Sequence, residues 1–553
     1  MWKYLYLYFL TSLCLNAQTP VWNSAKVSGG VQHQSNTHTV TDSQGNVYVF
    51  GVFDGSISFD NLTPITASYF SNGTKFFAKF DSLGNCLWLK KIEGINTFTI
   101  NSAIIDNNNN IIIGCLSSSN LNNSISLNDT TPIIQIDGNN FFIAKFDTNG
   151  NFLWSKKQDL GINYVSFIGS LTMGENDTFY ASGAYGGSGM TIDGINLPIN
   201  SFGNSNMFIG HFNSDGTIIW IKGFGNDTMN YDAPNIHFYD GNLFLTSFSN
   251  SDMSFESVDI DVPESPYFFH FILKMTSTGT PISGHETNFT LNDLSNIEKE
   301  FYGSHLYVYG SFDDSQLNIN NIVLNRIGNR DLFIIKYNLN GSVVWAKNFG
   351  YPNHRMLIQD IFVNTNNDIY LAADTSTPNF VFGTSTITNN GQYSTLIGKL
   401  DSDGNPIWAK NILNNLSNQN NFPQTITKAN DLIHVYGVFN YEQLNFDNIS
   451  VVFNSSPEAS LAESKIYYGS IYESTLKTEY FNNIAFIYPN PTKDYLNLSN
   501  NYNNKTYKII DITGRLIDQG RIIDSFNIDV SNLNKGLYLL NIANEISFKF
   551  IKD

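Results

Sequence analysis

The stretch FFAKFDSLGNCLWLKK, Phe76 to Lys91, decides the fold, because its grammar returns along most of the chain. It recurs as FFIAKFDTNGNFLWSKK (141–157), MFIGHFNSDGTIIWIKG (207–223), LFIIKYNLNGSVVWAKN (332–348) and STLIGKLDSDGNPIWAK (394–410). Each copy is an apolar alternating run, then Asp or Asn, two residues, Gly, three residues and Trp. A worn copy, FFHFILKMTSTGTPISG (268–284), has Ser283 in place of Trp, and SKIYYGSIYESTLKTEY (464–480) keeps the first half only. That makes seven. From Trp22 the marker falls at 88, 154, 220, 283, 345 and 408, spaced by 66, 66, 66, 63, 62 and 63 residues. A period this long with strand-type content means a small sheet repeated radially or in a stack.

Between these units lie second hairpins such as HTVTDSQGNVYVFG (38–51), NSAIIDNNNNIIIG (101–114) and EKEFYGSHLYVYG (298–310). β-Branched and aromatic residues alternate on either side of a few turn formers, the hairpin signature. A polar excursion follows, for instance FDGSISFDNLTPITASYFSNG (53–73), able to form a small extra hairpin. Four strands repeated seven times predict an all-β fold, a seven-bladed β-propeller over residues 18–480. Short Gly turns then fall on a lower face and long variable excursions on an upper one. Variable loops on a rigid scaffold are where binding concentrates, so the ligand surface is expected above.

Ring closure needs one more strand. VWNSAKV (Val21–Val27) looks like an outermost strand with nothing before it, and the seventh repeat lacks that strand. Val21–Val27 is therefore expected to complete blade seven, leaving no open edge; the other candidate is Thr475–Phe481. Trp22, Trp88, Trp154, Trp220, Trp345 and Trp408, at fixed register, read as packing wedges between blades rather than as sugar platforms.

The chain has 553 residues and a formal charge of −18 from 30 Lys and Arg against 48 Asp and Glu, a balance that disfavours nucleic acid as a partner. Residues 1–17, with Lys3 before an apolar centre and Ala17 before Gln18, read as a signal peptide cut between Ala17 and Gln18. No later stretch is apolar enough to predict a transmembrane segment in the mature chain. Cys86 and Cys115 then remain, either bridged or buried as two small apolar side chains.

Residues 484–553 abandon the period for six or seven short strands, which predicts a small C-terminal β-sandwich. Tyr488-Pro489-Asn490-Pro491, Asp511-Ile512-Thr513-Gly514-Arg515, Leu533-Asn534-Lys535-Gly536-Leu537-Tyr538 and the closing Lys549-Phe550-Ile551-Lys552 resemble the type A sorting domain of the type IX secretion system of Bacteroidetes. The resemblance implies passage through the periplasm, recognition by the type IX translocon through residues 484–553, and release or attachment at the cell surface. Gly514 and Gly536 read as turn glycines, and Pro489 and Pro491 as a strand start that cannot pair. The repeats resemble bacterial propeller repeats, shown best by Gly45-Asn46-Val47-Tyr48-Val49-Phe50-Gly51 and Phe77-Ala78-Lys79-Phe80-Asp81; that likeness implies architecture and no chemistry.

Chemical motifs are sparse. Asp401-Ser402-Asp403-Gly404 and Asp147-Thr148-Asn149-Gly150 start like calcium loops but lack the later acidic ligand, so they read as Asx-Gly turns. The nine histidines are scattered without zinc spacing. No cofactor, metal or catalytic residue is assigned, and with basic residues so sparse there is no sign of an arginine cluster. Three functions remain: a non-catalytic binding or adhesion module whose upper face meets a glycan, a surface polymer or a protein; a polysaccharide-acting enzyme; and a mere spacer at the cell surface. The second needs paired carboxylates about 5 to 9.5 Å apart, for which Asp54, Asp313 and Asp314 on the upper loops are the candidates.

Overall fold

The computed structural model describes residues 20–67, 74–94, 98–117, 123–127, 134–136, 140–159, 166–186, 189–198, 206–224, 234–262, 268–291, 297–389, 393–414, 421–440, 443–452, 464–473, 487–488, 490–498, 505–522, 527–542 and 546–553. The chain divides into two compact units, residues 1–473 and 474–553.

Unit one contains seven four-stranded antiparallel meanders. Their innermost strands are Gln34–Thr41, Phe98–Ile105, Phe167–Met173, Asn235–Tyr239, Ile297–Tyr302, Met356–Val363 and Asn421–Ala429. Each packs beside the next, and Asn421–Ala429 returns to Gln34–Thr41, so the blades form a closed ring. Blade 7 takes its outermost strand from the other end of the chain: Val21–Val27 pairs antiparallel with Lys465–Tyr472, Val27 opposite Tyr467 and Val21 opposite Tyr472. Thr475–Phe481 lies outside the described residues, as does the expected signal peptide; Pro20 is already buried.

The third strands show why a blade cannot stand alone. All six residues of Phe141–Phe146 and all seven of Thr74–Phe80 are buried, so both faces of the sheet are covered, each by a neighbouring blade. At about 1.5–3 kcal/mol for each large apolar side chain withdrawn from water, a lone blade would forfeit most of its stabilisation. Each polar excursion carries an extra hairpin, as in Gln316–Ile319 with Ile322–Asn325. Several add to the outermost strand of the preceding blade, where Phe289 pairs with Ile319 and Leu413 with Asn445.

Unit two has a three-stranded sheet (Ile487–Tyr488, Tyr495–Leu498, Asn527–Asp529) and a four-stranded one (Leu516–Arg521, Thr506–Asp511, Gly536–Ile542, Ile546–Lys552). Leu496, Ile509, Ile528, Leu540 and Phe550 fill the core between them, which makes a small β-sandwich. Gly514 sits in a turn at φ +85°, where Asp511 accepts the Thr513 and Arg515 amides. Gly536 differs from expectation: it opens a strand in extended backbone and is no turn residue. Asn490 clamps the last strand, donating to the Lys549 carbonyl at 3.0 Å and accepting from the Ile551 amide at 2.9 Å. Tyr538 stacks on Phe550 and donates to the Asn534 carbonyl. The Asn490–Pro491 bond is cis, and Pro489 lies outside the described residues.

Candidate functional site

On the lower face, Asp81 directs Oδ1 at the Leu83 and Asn85 amides (2.9 and 2.8 Å) and accepts the Asn85 side-chain amide on Oδ2. Asp42, Asp106, Asp147 and Asp401 repeat that geometry. These carboxylates are engaged within Asx turns, and the turn glycines are presented to the preceding blade. A Cβ on Gly150, Gly216, Gly279 or Gly404 would lie within about 3 Å of the ring of Trp88, Trp154, Trp220 or Trp345. Trp154 and Trp345 also donate their indole N–H to the carbonyls of Ser214 and Ser402 in the next blade, at 3.0 Å. Lysines beside the tryptophans complete the joints, Lys90 reaching Asn151, Lys222 the Gly279 carbonyl and Lys347 Asn405.

Trp22 keeps a packing role at a different place. A bulge between Trp22 and Ser24 shifts its register, and the ring packs edge-on against Phe446, 4.9 Å between centroids, in the apolar cluster that blade 7 shares with Ile397 and Trp408 of blade 6. Tyr468 stands against Gly84 instead. In the worn copy, where Ser283 replaces Trp, His285 faces Gly341. Among the described residues Trp408 meets no glycine turn; its indole points at Glu473, which also receives Lys399 at 2.6 Å and Lys428 at 3.2 Å and bonds Tyr370. Burial works to raise the Glu473 carboxyl, but the bonds from Lys399 and Tyr370 and the two ammonium charges hold it below the usual range.

Inside the ring, two cavities of about 810 and 690 Å3 share His38, Ile104, Met173, Glu298, Glu300 and Tyr302, and so form one channel. Its polar side chains cross every joint between innermost strands. His38 Nε2 donates to the Asn101 carbonyl (3.2 Å), Asn101 to that of Ile168 (2.9 Å), and the Phe238 amide to Thr172 Oγ1 (3.3 Å). His237 donates to Gly303 O (3.0 Å), Tyr302 to Ile361 O (2.9 Å), and the Ile426 amide to Asp360 Oδ2 (2.8 Å); Thr41 and Thr427 close the circle at 2.9 Å. Burial lowers His38 and His237, so both act as neutral donors.

Sequence reasoning missed the acids here. Glu300 and Asp360 stand on the inner strands of blades 5 and 6. Tyr302 Oη lies 2.6 Å from Glu300 Oε2, and Tyr309 Oη 2.9 Å from Oε1. Burial pushes Glu300 up; burial and then the charge of Glu300 push Asp360 up. The Tyr302 hydroxyl is within donating distance of both Glu300 Oε2 and the Ile361 carbonyl, and the bonds from Tyr302 and Tyr309 offset part of the rise at Glu300. Asp360 accepts the Ile361 and Ile426 amides at 2.8 Å, which offsets part of its own rise. The proposed upper-loop acids are not assembled into this channel: Asp313 and Asp314 are exposed, and Asp54 is half-buried with its amide on the His33 carbonyl. Among the described residues no cluster of three or more His, Cys, Asp or Glu could hold a metal, and no helix is long and apolar enough to cross a membrane. Cys86 and Cys115 are free and buried, and burial raises the Cys86 thiol to about 12.

Comparison with known proteins supplies the destination of this ring. Residues 486–552 match the family described as Secretion system C-terminal sorting domain. The second unit is thus a type IX sorting domain, which the secretion machinery recognises, and the chain is a β-propeller protein exported to the cell surface or the extracellular space. An uncharacterized WD repeat-containing protein of Acanthamoeba polyphaga mimivirus is 25% identical over 521 residues, covering 77% of this chain and 36% of its own length. The chain therefore spans about a third of that relative. Among solved structures, a protein of unknown function from Dyadobacter fermentans is similar at 7% identity and a TM-score of 0.35, covering 82% of this chain and all of its own. The polysaccharide lyase Uly1 is similar at 9% identity and a TM-score of 0.38, covering 79% of this chain and 89% of its own.

Proposed function

We propose that the protein is a non-catalytic binding or adhesion module, whose propeller presents its upper loops to a glycan or protein outside the cell. One observation supports this above others: polar groups in the channel are engaged in holding neighbouring blades together at all seven joints. Side chains that staple a ring are poor candidates for moving against a substrate, whereas upper loops can vary without opening it. Residues 1–17 direct export and are cut before Gln18, and residues 484–553 complete delivery. A chain lacking 484–553 should accumulate in the periplasm while the intact chain reaches the surface; surface delivery of the truncated chain would refute the sorting role. An array of glycans and surface polymers probed with the full chain tests binding directly. Retention of at least one class is expected, and failure on every class removes the glycan version.

The enzyme reading has one observation in its favour, namely that Glu298, Glu300 and Asp360 share the channel wall. It requires Glu300 to act as an acid towards a bound polysaccharide, so Glu300→Gln should abolish any cleavage. Under the binding reading that substitution leaves retention unchanged.

A further inference from the structure

The sequence holds five arginines, and the three that belong to the propeller, Arg326, Arg330 and Arg355, converge on the loops between blades 5 and 6. Arg330 and Arg355 form a parallel β-bridge, so both side chains leave the backbone on the same face. The Met356 amide donates to the Arg330 carbonyl at 3.0 Å, and the Asn329 amide to the His354 carbonyl at 2.7 Å. A Cβ on Gly328 would come within 2.5 Å of the His354 carbonyl oxygen, so only glycine allows the two loops this approach. Asp331 holds the first loop from within, accepting the Ile327 and Gly328 amides at 2.8 Å and Asn348 at 2.7 Å. The loops are built to a fixed shape, and they hold two like charges side by side, an arrangement that is unfavourable without a counter-charge.

The counter-charge inside the protein is incomplete. Arg355 lies flat on Tyr393, 3.8 Å from guanidinium carbon to ring centroid, and reaches Asp374 only at 3.6 Å. Burial raises Asp374 to about 6. Arg330 has no ion pair among the described residues, and the Nε atoms of both arginines are buried without a hydrogen-bond partner. Tyr351, 40% exposed, stands on the same pair of loops, and Asn329 and Asn353 face each other across them.

Building on the binding reading above, we infer that Arg330 and Arg355, with Tyr393 and Tyr351 beside them, bind the oxyanion substituent of an acidic saccharide. A guanidinium offers a planar fork of donors suited to a carboxylate or a sulfate, and an aromatic ring offers an apolar face to the sugar. The charge of −18 on the whole chain does not forbid this, because screening over about 8 Å at physiological salt confines repulsion to near neighbours. It does disfavour long phosphate backbones, which need many basic contacts in a row.

The test places the full chain on a surface and measures retention of polygalacturonate, dextran sulfate and unmodified dextran. Polygalacturonate supplies carboxylates and dextran sulfate supplies sulfates, so the two arms identify the substituent. At least one polyanion is expected to be retained over dextran, and Arg330→Gln to weaken that retention about tenfold or more, with Arg330→Lys in between. The Arg330 side chain has no ion pair among the described residues, so Arg330→Gln should leave the melting temperature unchanged; Arg355→Gln serves as the second variant. Equal retention of dextran, or polyanion retention indifferent to both substitutions, would overturn the arginine site and leave the binding reading standing. Loss of retention of all three probes by the unsubstituted chain would also overturn it, while the wider array decides the binding reading separately.

Discussion

The joint between blades 2 and 3 and the joint between blades 6 and 7 solve one packing problem in two ways. At the first, Trp154 covers Gly216 and donates to the Ser214 carbonyl. At the second the chain departs for its C-terminal unit, no glycine turn stands opposite Trp408 among the described residues, and Glu473 offers its carboxylate to Trp408, Lys399, Lys428 and Tyr370. The regular joint rests on shape and one neutral hydrogen bond, the closing joint on buried charge. The two should therefore answer differently to mutation and to acid.

The largest effect is expected at the closing joint. Glu473→Gln leaves Lys428 and part of the charge on Lys399 uncompensated in a buried site; Lys399 keeps Asp368 at 3.0 Å. A loss of about 3 kcal/mol should follow, the lower end for breaking a buried pair, read by denaturant unfolding at neutral pH. The sign of the pH dependence follows from the depressed Glu473 carboxyl. Its contribution is present above the ordinary value of 4.5 and is lost as pH falls through the lower folded value. The gap between variant and parent should close in acid, and a gap constant with pH would contradict the charge account.

Trp154→Ala comes next. The indole is only half-buried, so a cost near 3 kcal/mol, the low end for a core tryptophan, is expected, and this loss should not vary between pH 4 and 7. The smallest effect compares two turn glycines. Gly216 and Gly341 share φ near +83°, so alanine at either carries about 1–2 kcal/mol of left-handed strain. A methyl on Gly216 would also sit 3.0 Å from the Trp154 ring, whereas on Gly341 it would find His285 at 3.3 Å. Gly216→Ala should be the more damaging by about 1 kcal/mol, and equal losses would mean that Trp154 yields freely.

Much of the ring could be read from the sequence because its determinants repeat. The period, the hairpins, the extra hairpins and the closing role of Val21–Val27 all follow from counting one grammar seven times. Trp22 shows the limit, since a bulge moves its side chain to a different packing partner and periodicity is blind to register within a strand. Gly536 misled for a similar reason: a glycine announces a turn and an extended strand start alike. The acids of the channel did leave a trace, since aligning the copies EKEFYG and QDIFVN by the strands they pair with sets Asp360 at the position of Glu298, with Glu300 two residues further along the same inner strand. The arginines carried no such signal. Arg326, Arg330 and Arg355 look like sparse basic residues until curvature brings two loops together.

The account holds that the channel staples the ring and the upper face binds. The measurement that bears on it most directly incubates the full chain with a panel of neutral and acidic polysaccharides, following retention and the appearance of new reducing or unsaturated ends together. Retention of intact chains, with no new ends and no change on Glu300→Gln, is the predicted result. New chain ends that vanish in Glu300→Gln would contradict it and make the channel an active site.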